Sequence, residues 1–125
     1  MIFKEHIMAI DLTIEASKKQ NIDYLELHGE LDDFHAPKLF DTLSNINYPN
    51  KLIINLDHTT FIDSVGLGAI AKVGQKMSES EGQLKLICNK SQLIRLLSAS
   101  GLIAALHKNV SMAETIEDAI TQLSS

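Results

Sequence analysis

The chain has 125 residues, enough for one domain that buries about two thirds of its unfolded surface around a single core. Apolar residues make up 45% of it, and 11 Lys and Arg against 16 Asp and Glu leave a net charge of -5. That balance argues against broad electrostatic attraction to nucleic acid or an anionic membrane, and favours a protein or a small molecule as partner.

The N-terminus MIFKEHIMAI is interrupted by Lys4, Glu5 and His6 and lacks the continuous apolar centre of a signal peptide. No stretch approaches the roughly 20 apolar residues that span a bilayer. From residue 10, IDLTIEA alternates strictly. Ile10, Leu12, Ile14 and Ala16 fall on one face and Asp11, Thr13 and Glu15 on the other, which predicts a half-buried strand. SKKQN is then a turn into a second strand, IDYLELH, and the two form a hairpin. Pro37 suits a first helical turn, where its missing N–H costs little. Leu39, Phe40, Leu43 and Ile46 follow at helical spacing until the turn at Tyr48, Pro49 and Asn50.

LIINL is a short, branched apolar run of the kind buried on both faces of a sheet. After FIDS the period changes: Leu67, Ile70, Ala71, Gly74 and Met77 share one helix face, up to a break at Gly82. LKLIC is another buried strand. Its Cys88 is the single cysteine, so it has no internal disulfide partner; it reads as a small buried hydrophobe in a reducing cytoplasm. SQLIRLLSASG predicts a helix with Ser91 as N-cap, Leu93, Leu96 and Leu97 inward, and Gly101 at its C-terminal end. An apolar piece at 103–106 is a candidate last strand. Ser111 with Glu114 then forms a capping box for a final helix whose apolar stripe is Met112, Ile116, Ala119, Ile120 and Leu123. The order β β α β α β α (β) α predicts an α/β fold. It has a mostly parallel central sheet, an antiparallel N-terminal hairpin and about four flanking helices.

The glycines of DSVGLG do not make a nucleotide loop, because neither G-x-x-x-x-G-K-[ST] nor G-x-G-x-x-G is present. Gly66 and Gly68 read instead as close packing of a helix on the sheet. A serine hydrolase would want G-x-S-x-G, and the residue two before Ser64 is Ile62. His6, His28, His35, His58 and His107 are scattered without ligand spacing, so no metal site is expected. Asp32, Asp33, Asp57 and Asp63 stand near strand ends, where acids more often cap helices than form an acid/base pair. No enzyme is expected. Ser64 remains, between a strand and a helix. One reading is a helix N-cap worth about 1 kcal/mol, although Leu67 three positions on leaves a capping box incomplete. The other is an exposed hydroxyl that accepts a phosphate, the anion being stabilised by the free N–H groups and dipole of the helix start. Both can hold together.

The stretch LIINLDHTTFIDSVGLGAIAKV, preceded by GELDDFHAPKL and followed by LKLICNKSQLIRLLSASGL, resembles the STAS domain of bacterial anti-sigma-factor antagonists. The likeness covers about residues 10–123, which makes 1–125 a single domain with 1–9 as an N-terminal extension. Its signature is D-S-x-G-L-G at Asp63 to Gly68, and G-E-L-D at Gly29 to Asp32 is a second element. Val65 departs from the usual serine or alanine and bears on the fit to a kinase. The resemblance implies that Ser64 is the phosphoacceptor, that Asp32 contacts the kinase and that Asp63 shapes the loop. Val65, Gly66 and Gly68 would belong to the same partner-binding surface. It further implies a switch without catalysis of its own. Unphosphorylated, such an antagonist binds an anti-sigma factor that is itself a serine kinase, and so frees a sigma factor. Phosphorylation breaks the contact, and a metal-dependent phosphatase of the PPM type restores it. No cofactor is implied, and a cytoplasmic monomer or weak dimer is expected. The alternatives are a non-switching STAS scaffold in a stress-signalling or lipid-transport complex, and a small nucleotide-binding domain.

Overall fold

A computed structural model describes residues 11–101 and 109–124. The elements follow in the order β1 (Thr13–Lys19), β2 (Ile22–Leu31), α1 (Ala36–Asn45), β3 (Lys51–Asn55), β4 (Thr59–Ile62), α2 (Ser64–Glu79), β5 (Gln83–Ile87), α3 (Ser91–Ala99), β6 (Val110–Ala113) and α4 (Ile116–Ser124). The hairpin of β1 and β2 is antiparallel. It turns through Gln20 and Asn21, whose φ values of 53° and 68° are those of a two-residue turn that matches strand twist. The sheet continues β1-β2-β3-β5-β6 with every later pairing parallel, and β4 lies against the far end of β2. The α/β fold with an antiparallel opening hairpin and, among the described residues, four helices is as the element order predicts.

Both faces of the sheet are covered, unequally. Leu25, Leu27, Leu52, Ile54, Leu84 and Leu86 face α1, α2 and α3, which contribute Leu39, Leu43, Ile70, Val73, Met77, Leu93 and Leu97. On the opposite face Ile22, Tyr24, Ile53 and Ile87 pack on Ala119 and Leu123 of α4. Successive residues of β3 thus serve different helices, which is why its run is apolar throughout. Cys88 is buried, as expected. No helix among the described residues is long and apolar enough to cross a membrane.

Several local expectations are corrected. In the hairpin, Leu12 is buried and Ile14 half-buried, but Ala16 is exposed, because β1 is an edge strand whose outer part overhangs the core; Ile10 lies outside the described residues. The segment TTFI is a strand and not merely a lead into the following helix. Lys90 stands at the N-cap of α3 in place of Ser91, and Leu96 is partly exposed. The 103–106 segment lies outside the described residues, and the strand that completes the sheet is β6. Ser111 and Met112 belong to that strand and not to the last helix, since Val110–Ala113 pair with β5. The first turn of α4 is capped by Thr115, whose Oγ1 accepts the Asp118 N–H at 3.0 Å.

Candidate functional site

Ser64 stands where β4 ends and α2 begins. The cap of α2 is Asp63 and not Ser64: its backbone is extended (φ -99°, ψ -175°) and its Oδ1 accepts the Gly66 N–H at 2.8 Å. The Asp63 carbonyl oxygen accepts the Leu67 N–H at 2.9 Å, which closes the first helical turn. Ser64 is therefore the first helical residue. Its side chain is exposed, and among the described residues its hydroxyl has no hydrogen-bond partner. The N–H groups of Ser64 and Val65 likewise have no acceptor among the described residues, as the geometry of a helix start dictates.

The second oxygen of Asp63 accepts the backbone N–H of Asp33 at 3.2 Å, tying the loop after β2 to the start of α2. In that loop the Asp32 carboxylate accepts the His35 N–H at 3.0 Å and faces His35 Nδ1 at 2.8 Å. The other ring nitrogen of His35 lies 3.0 Å from Asp11 Oδ1, so this buried imidazole is held between two carboxylates. Asp32, expected to contact a partner, is thus also a structural acceptor at the entrance to α1.

The two glycines of the motif differ in their surroundings. Gly66 is buried, and a Cβ there would run into the Leu31 carbonyl group. It lets α2 approach the end of β2, as the packing reading expects. Gly68 is exposed, and a Cβ there would meet nothing, so close packing does not explain it.

Beside the acids Asp32 and Asp63, large apolar side chains near Ser64 are exposed. Phe34 is 81% exposed, Val65 49% and Phe61 48%. Beside them a shallow groove of about 260 Å³ between α1 and α2 is lined by Ala36, Phe40, Val65, Gly68, Ala69 and Lys72. Phe34 and Phe61 went unremarked as site residues from sequence. A signal existed for the first: an aromatic residue stands among Asp32, Asp33 and His35 in a turn with no apolar periodicity. The site so assembled has an exposed hydroxyl on which no base is positioned among the described residues.

The STAS domain family model matches residues 13–119. The anti-sigma-B factor antagonist of Staphylococcus aureus is 24% identical over 102 residues, covering 80% of this chain and 94% of its own. Among solved structures, an anti-sigma factor antagonist from Mycobacterium paratuberculosis matches with a TM-score of 0.80 at 22% identity, over 92% of this chain and 96% of that one. The Bacillus cell fate determinant SpoIIAA in its phosphorylated form matches with a TM-score of 0.65 at 20% identity, over 88% and 98%. These structural likenesses establish the fold.

Proposed function

The chain belongs to the STAS domain family, and from that premise we propose that it is an anti-sigma-factor antagonist switched by phosphorylation of Ser64. The observation that carries this reading is the exposed, unpartnered Ser64 hydroxyl at the first turn of α2, with two free backbone N–H groups beside it. The names of the relatives and the existence of a phosphorylated structural neighbour support it.

In the unphosphorylated protein, Phe34, Phe61 and Val65 form the apolar part of the docking surface and Asp32 and Asp63 its acidic part. The partner is an anti-sigma factor with serine kinase activity, whose occupation frees a sigma factor in the cytoplasm. Gly68 keeps that surface low, and Val65 tunes the fit to the kinase. Gly66 acts from beneath by bringing the helix close to β2. Phosphorylation adds about -1.5 to -2 charges near neutral pH at the centre of this surface. A solvated dianion beside Asp63 opposes the desolvation that docking requires, and a loss of about 3 kcal/mol would weaken binding roughly 150-fold. A PPM-type phosphatase would reset the switch. Catalysis resides in the partners.

The test is incubation of wild type and Ser64→Ala with the cognate kinase and ATP, read by intact mass and by affinity for the anti-sigma factor. Wild type should gain one phosphate and lose affinity about 150-fold, in line with the energy above. Ser64→Ala should stay unmodified and bound. Phosphate on Ser64→Ala would place the acceptor elsewhere. Undiminished affinity of the phosphorylated wild type would remove the switch.

A further inference from the structure

The face of the sheet that carries α4 bears a second constellation, on the hairpin and away from α2. Glu15 of β1 and Glu26 of β2 are directly opposed across the antiparallel pair. Two carboxylates in that register repel unless a cation lies between them. His28, two residues along β2 and so on the same face as Glu26, directs its Nε2 to Glu26 Oε1 at 2.9 Å and to Glu15 Oε1 at 3.8 Å. We propose that Glu15, Glu26 and His28 form a binding site for a divalent transition-metal ion of the zinc class.

The spacing suits such an ion. The three donor atoms lie within 4.8 Å of one another. A tetrahedral zinc with bonds of about 2.1 Å separates its ligand atoms by roughly 3.4 Å, a value between the 2.9 and 3.8 Å found here. The two distances from the imidazole nitrogen thus differ from that value by about half an ångström or less. One imidazole with two carboxylates favours zinc-like ions over magnesium or calcium, which prefer oxygen alone. Solvent can enter, because Glu15 is exposed and the other two are half-buried.

The ligands are also held from behind, as metal ligands are. The Tyr24 hydroxyl donates to Glu26 Oε2 at 2.6 Å and itself accepts from Asn55 Nδ2 at 2.8 Å. That chain fixes the Glu26 carboxylate and leaves Oε1 for the ion. The His58 ring stacks on His28 at 4.7 Å with planes 2° apart, which sets the plane of the liganding imidazole. A bound ion would clip the edge strand β1 to β2. Sequence spacing hid the site, because two ligands are i, i+2 on one strand and the third comes from across the hairpin.

Calorimetric titration of the full chain with zinc chloride near neutral pH tests it. One zinc should bind per chain, and the unfolding temperature should rise with zinc concentration. Tyr24→Phe should weaken binding about tenfold, and His28→Ala and Glu15→Gln by more than that. Glu79→Gln, at the end of α2 on the other face of the sheet, should bind as wild type does, and magnesium should not compete. Circular dichroism of each variant establishes that it is folded; Glu15, being exposed, provides the variant least able to disturb the core. Absence of saturable binding to wild type would overturn the proposal, as would unchanged affinity in folded His28→Ala and Glu15→Gln. In either case His28 is simply a proton donor to its carboxylates.

Discussion

Positions 66 and 68 share a residue type and part company in everything else. A methyl group at 66 collides with the Leu31 carbonyl, a backbone atom that cannot step aside, whereas one at 68 projects into open solvent. Gly66→Ala should therefore destabilise the fold by about 1–3 kcal/mol, the range for overpacking. Gly68→Ala should stabilise it by about 0.5–1 kcal/mol, because glycine inside a helix is entropically unfavourable. Urea unfolding of the two variants checks the pair, and a shift of the same sign in both would contradict these surroundings. The distinction was readable in principle: 66, 70, 73 and 77 fall on one helical face, and 68 does not. The cap was harder. Asp63 and Ser64 are both good N-cap residues, and only the extended backbone at 63 shows which of them serves. Asp32 adds a third case at this scale. Having lost its acceptor for the His35 N–H, Asp32→Ala should be less stable by about 1 kcal/mol in the same assay.

Strand β2 shows what one element can hold on two faces. Leu25 and Leu27 enter the larger core while Tyr24, Glu26 and His28 line the other side. Burial, and after it the hydrogen bond to Glu26, pushes the Tyr24 hydroxyl up from 10.0 to about 12. The folded state thus keeps a proton that the unfolded chain releases first. The resulting stability is fully present below pH 10.0 and is lost as pH rises through about 12. Unfolding free energies measured across that window should fall less steeply for Tyr24→Phe than for wild type. Tyr48, also raised by burial, contributes equally to both proteins and cancels in the difference. Strands such as β3 and β5 were legible because burial on both faces makes an apolar run. By contrast β4 was not, since only Thr59 and Ile62 of its four residues are buried and its partner is the remote end of β2. In β6 a serine followed three positions later by a glutamate imitates a helix start, and pairing with β5 overrides that local preference.

At the scale of the molecule, among the described residues three helices shield one face of the sheet and one helix the other, and the order of elements announced that architecture because the helical crossovers join buried, parallel strands. What sequence could not announce was the apolar company of Ser64, since Phe34, Phe61 and Val65 come from a loop, a strand and a helix start that only folding assembles. That surface lies outside both cores. Phosphorylation at Ser64 should accordingly leave global stability within about 1 kcal/mol of the unmodified protein, the helix dipole offsetting repulsion from Asp63. Parallel urea unfolding of the two forms checks this; a collapse of the modified form would mean that the phosphate acts on the fold itself. The Asp63 carboxylate holds the Gly66 N–H with one oxygen and the Asp33 N–H with the other. A kinase acting on the neighbouring hydroxyl, as proposed, would therefore meet a conformational epitope, two distant stretches of chain bound into one shape. A linear peptide copied from residues 58–70 carries the same letters without their brace and should be a poor surrogate substrate for such a kinase.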